Sequence, residues 1–289
     1  MLKKRIVAVL VVRDGIVVQS IGFNRYLPVG RPEIATEFLS DWGADEIVLL
    51  DISASREERG PDYAMVRDAA RKCRVPLAVG GGITRIQHVA ELIRCGADKV
   101  CVNRVLFLDE TFVSATAHVF GGQCMVGSID ACLVEKDYRV YDYLRGGARD
   151  VTPVELARKL QEDGIGEIFI NSVDRDGSYA GFDLELVGRI CEAVSVPVIC
   201  CGGAGQFRHF VDAFEKTGVS AAAAANMLHF IEHSVITLKA MISSGGVLVR
   251  QESSASYAGS MFDKGGRLLK KDDAELENMR FIRIEKETI

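Results

Sequence analysis

Asp45-Glu-Ile-Val-Leu-Leu-Asp51 is a short apolar run bounded by carboxylates, and the chain writes it again 121 residues later as Gly166-Glu-Ile-Phe-Ile-Asn-Ser172. The same offset carries Pro76-Leu-Ala-Val-Gly-Gly-Gly82 onto Pro197-Val-Ile-Cys-Cys-Gly-Gly203, and Gly96-Ala-Asp98 meets Gly218-Val-Ser220 one residue later. Self-similarity at a long fixed offset marks a duplicated unit. Runs with no polar alternation are strands covered on both faces, the pattern of a parallel sheet enclosed by helices.

Outward from these runs the pattern continues. Strands are expected at 5–12, 46–51, 76–80, 99–102, 123–130, 167–172, 197–201 and 219–224, with amphipathic helical stretches such as 62–73, 86–95, 153–163 and 183–193 between them. Eight βα units in two equivalent halves give an α/β fold, a (β/α)8 TIM barrel with a twofold half-barrel repeat. A pseudo-twofold barrel presents two equivalent sites on its catalytic face, which suits a substrate with a similar group, such as phosphate, at each end. Two stretches are expected to stand outside the repeat. Residues 131–150, with Tyr138, Tyr141 and Tyr143 ahead of Gly146-Gly147, read as an inserted β-hairpin. The polar, glycine-broken tail from Gln251 reads as a C-terminal extension, giving a barrel at 1–250 and an extension at 251–289.

The 289 residues are 48% apolar and 26% charged, which excludes a disordered chain and suits one large barrel. A net charge of −5 with no basic run argues against nucleic acid as a partner. The apolar start, Ile6–Val12, is too short for a signal peptide and ends in Arg13-Asp14-Gly15, so it reads as the first strand; no apolar run reaches 18 residues, so no membrane span is expected. Eight cysteines without a CxxC and five histidines without an HExxH predict reduced, mostly buried thiols in a cytoplasmic protein with no metal site and no cofactor.

Chemistry concentrates at strand ends. Gly80-Gly81-Gly82 and Gly202-Gly203 follow equivalent strands at the end where barrel enzymes build their sites, and glycine lets backbone N–H groups approach an anion. Asp51, Asp130, Asp174 and Asp176 also sit at or just past strand ends, where the choice is between capping and catalysis. Asp130 is the strongest candidate for general acid/base work, because Val126-Gly-Ser-Ile-Asp130 is otherwise apolar or small. Its equivalent in the first half, at an offset of 119, is Val11. At the opposite strand ends stand Arg5, Glu46, Lys99 and Glu167, two cations and two anions that would form a charged ring closing the barrel floor if they point inward. Such a ring costs desolvation and seldom outdoes apolar packing, so a functional reason is worth entertaining beside a structural plug.

The motifs Lys4-Arg5-Ile6, Leu50-Asp-Ile-Ser-Ala-Ser55, Val79-Gly-Gly-Gly-Ile83, Gly96-Ala-Asp-Lys99, Ile129-Asp130, Val173-Asp-Arg-Asp-Gly177, Gly202-Gly-Ala-Gly205 and His229-Phe230 resemble the cyclase subunit of imidazole glycerol phosphate synthase, HisF, over about residues 1–250. In that family a partner glutaminase releases ammonia, which enters through the barrel floor and joins a phosphorylated ribulosyl intermediate at the catalytic face. The resemblance implies an ammonia gate at Arg5, Glu46, Lys99 and Glu167, and a glutaminase (HisH-like) interface at Asp98 and Gln123. It also implies phosphate-site positions at Gly82, Asn103, Arg104, Asp176, Gly177, Gly203 and Asn226, and one catalytic aspartate at Asp130.

The chain departs from the family where the second catalytic aspartate falls on Val11, where Gln19 replaces a lysine, and where Arg104 replaces a small hydroxyl residue. A gate retained beside altered substrate chemistry resembles the divergent HisF-like proteins encoded with surface-polysaccharide genes. There, with a glutaminase and a sugar amidotransferase, ammonia is thought to convert an N-acetyl group of a nucleotide sugar into an acetamidino group. The alternatives are a true cyclase and lyase of histidine biosynthesis that tolerates Val11, and a non-catalytic scaffold that activates a glutaminase. None of the cysteines lies in a glutaminase-like nucleophile motif, so use of glutamine would need the partner.

Overall fold

The computed structural model describes residues 3–231, 233–250, 257, 259–263 and 268–272. Its strands are β1 (Arg5–Arg13), β2 (Ile16–Ile21), β3 (Arg25–Gly30), β4 (Glu46–Asp51), β5 (Leu77–Gly80), β6 (Lys99–Val102), β7 (Met125–Val134), β8 (Asp137–Asp142), β9 (Gly147–Ala148), β10 (Glu167–Ser172), β11 (Val198–Cys201) and β12 (Ala221–Ala224). Its α-helices are α1 (Pro32–Asp41), α2 (Tyr63–Lys72), α3 (Ile86–Arg94), α4 (Phe112–Phe120), α5 (Pro153–Glu162), α6 (Leu184–Ala193), α7 (Phe207–Lys216) and α8 (Ser234–Ser244).

Eight of the strands close into a parallel barrel in the order β1-β4-β5-β6-β7-β10-β11-β12, with β12 returning to β1 through Arg5↔Ala221. The register runs through Val7↔Glu46, Ala78↔Lys99, Val126↔Glu167 and Ile199↔Ala221. Because side chains alternate across a strand, these pairs place Arg5, Glu46, Lys99 and Glu167 at the inner floor. Val7, Val9, Val48, Ala78, Cys101, Val126, Phe169, Ile199, Ala221 and Ala223 pack as an apolar cluster inside the barrel above them. The opposite strand face packs on the helices in a second, larger cluster that includes Ile6, Ile47, Leu77, Ile129, Ile168 and Phe210.

Local chemistry fixes the helix starts. Pro32 and Pro153 occupy first-turn positions, Asp62 and Asp183 cap α2 and α6, and Thr152 with Glu155 forms a reciprocal capping box on α5. Helix α8 buries residues on all sides, Val235, Ile236, Leu238, Met241 and Ile242 among them, and also Lys239, whose ammonium meets Asp45 Oδ1 at 2.7 Å with both side chains only 5% exposed. Part of the cover comes from the extension. Tyr257 Oη lies 2.9 Å from His233 Nδ1, and Met261, Phe262 and Leu269 share a cleft with Phe207 and Met241. Phe262 and Leu268 form an antiparallel bridge; most of the expected 251–289 extension lies outside the described residues.

The expectation that 131–150 stands outside the repeat is overturned. β7 runs on to Val134, turns at Glu135-Lys136 and pairs antiparallel with β8, and the first half has a counterpart that the sequence reading missed. After β1 the chain turns at Asp14-Gly15, both with positive φ, and returns as β2 and β3. Each half therefore carries a hairpin after its first barrel strand. The two meet through Phe23 and Tyr141, whose rings pack edge to face at 6.0 Å. Arg13-Asp14-Gly15, where the first apolar run ends, leads into the first of these hairpin turns.

Candidate active site

At the C-terminal ends of the barrel strands lies a cavity of about 140 Å³. Its inner wall is Val9, Val11, Leu50, Cys101, Phe169 and Ala225; Ser128, Asp130, Asn103 and Asn171 form a polar side; Phe23 and Tyr26 from the first hairpin and Tyr143, after β8, face it from above. Asp130 is buried and accepts hydrogen bonds from Asn103 Nδ2 at 3.0 Å and Asn171 Nδ2 at 3.1 Å. Burial pushes its carboxyl up to about 6, against the two carboxamide donors that pull it down. Asn171 gave no signal in the sequence reading. It stands opposite Asp130 across the β7–β10 pair, a neighbour that only the register reveals.

Val11 faces the same cavity, where the first half could have offered a second carboxylate. Asp14 does not take its place: its side chain is two-thirds exposed and accepts from Ser53 Oγ at 2.9 Å. Asp51 is committed as well, accepting from Ser53 N and Ala54 N and meeting Arg59 Nη2 at 2.8 Å; it closes the turn after β4, whereas the next helix, α2, is capped by Asp62. Asp174 is exposed and binds Leu133 N at 2.7 Å, which ties the second hairpin to the loop after β10.

The expected anion-site positions divide. Gly82, Asn103, Arg104 and Asp176 line the cavity, whereas Gly177 and Gly203 do not, and Asn226 lines a neighbouring cleft with Gln19 and His229. Gly82 and Gly203 have φ of +69° and +96°, and a Cβ there would lie 2.6 Å from Arg59 O and 2.2 Å from Gly181 O. Both loops therefore require glycine for close backbone packing, whatever they bind. In the second half the first hairpin takes up the side chains. Ser20 Oγ and Phe23 N donate to Asp176 Oδ2, and the Asn226 carboxamide accepts from Ser20 N and donates to Ser20 O. Gln19 Nε2 donates to Asn226 O at 3.2 Å. Burial pushes the Asp176 carboxyl above its ordinary value, against the donors that lower it. His229 is buried, its Nε2 has no partner among the described residues, and burial lowers its pKa to about 4.

The floor residues close into a ring. Arg5 bridges Glu46 (2.7 Å) and Glu167, and Lys99 bridges the same two carboxylates at 2.9 and 2.8 Å. Each cation sits between both anions, so all four charges are paired with neighbours of opposite sign. Burial raises the Glu46 carboxyl while Lys99 draws it back; for Arg5 burial lowers the pKa, and Glu167 and Glu46 raise it to a net increase. Asp98 and Gln123 are exposed beside this floor. Asp98 also has a structural task, accepting from Leu77 N at 2.9 Å. All eight cysteines are free, but only Cys95, Cys101, Cys124 and Cys200 are buried; the other four are half-buried. No helix among the described residues is long and apolar enough to cross a membrane.

The profile of the histidine biosynthesis protein family matches residues 5–234. The chain belongs to that family. Among its HisF-like relatives, the hisF2 protein of Vibrio vulnificus, provisionally named as an imidazole glycerol phosphate synthase subunit, is 42% identical over 267 residues, 92% of this chain and 98% of the relative. The imidazole glycerol phosphate synthase subunit HisF of Anoxybacillus flavithermus is 42% identical over 254 residues, covering 86% of this chain and all of the relative. The HisF subunit of Clostridium botulinum strain Langeland is 41% identical over 253 residues, again its whole length. The likeness to HisF therefore extends over nearly the whole described barrel.

Proposed function

We propose that this HisF-like chain is the ammonia-channelling subunit of a glutamine-dependent amidotransferase whose acceptor differs from the ribulosyl intermediate of histidine biosynthesis. The observation that carries the reading is the pairing of a complete charged ring at the floor with a catalytic-face cavity that holds Asp130 but has Val11 opposite it in the repeat. A glutaminase at the floor, against Asp98 and Gln123, supplies ammonia; the interior layer of Val7, Ala78, Val126 and Ala221 gives it an apolar route upward. The acceptor we favour is the N-acetyl group of a nucleotide sugar destined for surface polysaccharide. Ammonia nitrogen replaces the amide oxygen, water leaves, and activation of that oxygen falls to a sugar amidotransferase partner. Asp130, poised near 6, serves as the proton-transfer group at the cavity.

The test uses the chain reconstituted with its glutaminase and compares two nitrogen sources in the Lys99→Ala variant. A gate predicts that glutamine hydrolysis continues while amidated product from glutamine falls, with free ammonium still supporting product through the open face. A parallel fall with both sources would sink the channel. The full-length likeness to HisF favours a second reading, a histidine-pathway cyclase that works with one aspartate.

A further inference from the structure

We infer that the Gly82 end of the cavity is a diphosphate subsite, with Arg56 and Arg104 holding the outer of two linked phosphoryl groups. The inference deepens the proposed function by naming the chemical class of the ligand, and it rests on that reading only for the sugar attached beyond it.

The protein is acidic overall, with a net charge of −5, yet two arginines without carboxylate partners line this one cavity. Arg104 leads out of β6 directly after Asn103. Its Nη1 donates to Ser55 O at 2.8 Å, and its remaining N–H groups have no partner among the described residues. Arg56 is the next residue after Ser55, exposed, with no hydrogen bond or ion pair among the described residues. The anchored Arg104 thus sets its guanidinium beside the chain segment that carries Arg56, and both share the cavity wall with Gly81 and Gly82. Asp51, a carboxylate of the same cavity, is paired with Arg59 at 2.8 Å. Asp130 lies on the polar side, held by Asn103 and Asn171.

A phosphomonoester needs only the loop N–H groups and one cation. Two guanidiniums without carboxylate partners among the described residues, beyond such a loop, match an anion that carries charge at two linked centres, since each presents planar N–H donors suited to phosphoryl oxygens. The cavity is too small for a whole nucleotide sugar, so the nucleoside on the outer phosphoryl group extends past Tyr26 and Tyr143 at its mouth, and the sugar on the inner one faces Asp130.

The isolated full chain, without glutaminase or acceptor, is titrated calorimetrically with inorganic pyrophosphate and inorganic phosphate. Uridine and adenosine diphosphates are then compared with their monophosphates, so that the base is not the variable. Tighter binding of the diphosphate member of each pair, by about tenfold or more, is expected. Arg56→Ala should bring the ratio towards one while affinity for inorganic phosphate at the glycine loop changes less than about twofold, and Arg104→Ala should lower the ratio together with the phosphate affinity. Equal affinities in the parent protein, or a preference untouched in both variants, would overturn the subsite. Arg56 is exposed, so its variant keeps the test decisive if the Arg104 variant fails to fold. Failure of ammonia coupling in the Lys99→Ala experiment leaves this binding result intact, and loss of diphosphate preference leaves the coupling result intact.

Discussion

Asp130 titrates near 6 because the barrel wall strips its water and two carboxamides replace only part of it. A carboxyl whose folded pKa lies above its unfolded value holds its proton longer in the native state, so its contribution to stability declines as pH rises from about 4 through about 6. Carbon-13 NMR of labelled aspartates should show one carboxyl titrating near pH 6, and Asp130→Asn should remove that resonance; titration of Asp130 near 4 would refute the assignment. Across the repeat, Val11 can neither give nor take a proton. Turnover of the ribulosyl intermediate with ammonium should be at least about 100-fold slower than in a two-aspartate relative. Val11→Asp should recover part of that loss, as single-turnover kinetics would measure; a parent rate equal to the relative's would instead favour the cyclase reading. Both residues were legible in the sequence because the 119-residue offset sets them in register. Asn171 was not, since its importance arises from hydrogen bonding to a carboxylate 41 residues away.

The strands and helices of the barrel were legible because each is short, strongly apolar or strongly amphipathic, and the boundaries at Glu46–Asp51, Lys99–Val102 and Glu167–Ser172 match the sequence reading residue for residue. The strand expected from Gln123 begins instead at Met125, because Gly122–Cys124 forms a 3-10 turn first. The hairpin of β2 and β3 escaped notice for a different reason. Its second strand is half-buried or exposed and contains Pro28, and the hairpin is held through Ser20 of its first strand by Asp176 and Asn226 far along the chain. At the last helix, Lys239 in α8 is the one buried cation of an otherwise apolar face, and Asp45, which also accepts from Ile6 N, is its anion. Lys239→Ala should therefore lower stability by about 3–5 kcal/mol in denaturant melts, since it leaves a buried carboxylate without its charge partner. A loss below about 1 kcal/mol would mean that water reaches Asp45 after all.

At the scale of the whole molecule the two ends of the barrel do different work. Asp98 and Gln123 lie exposed at the floor beside the charged ring, so Gln123→Arg together with Asp98→Asn should weaken glutaminase binding by about tenfold or more. The asparagine still accepts from Leu77 N, and the melting temperature of the isolated chain should hold; unchanged affinity by calorimetry would move the interface elsewhere. At the other end, the hairpins of the two halves touch at Phe23 and Tyr141 above a cavity built by a duplicated scaffold. A receptacle with true twofold symmetry would load a two-ended ligand in either sense, and half of its encounters would be wasted. Here Asp130 has no mirror image, Arg104 stands on the first half's loop alone, and Asp176 and Asn226 of the second half are already bound to a hairpin. The container thereby acquires a direction, and a molecule that enters head first and one that enters tail first are no longer the same event.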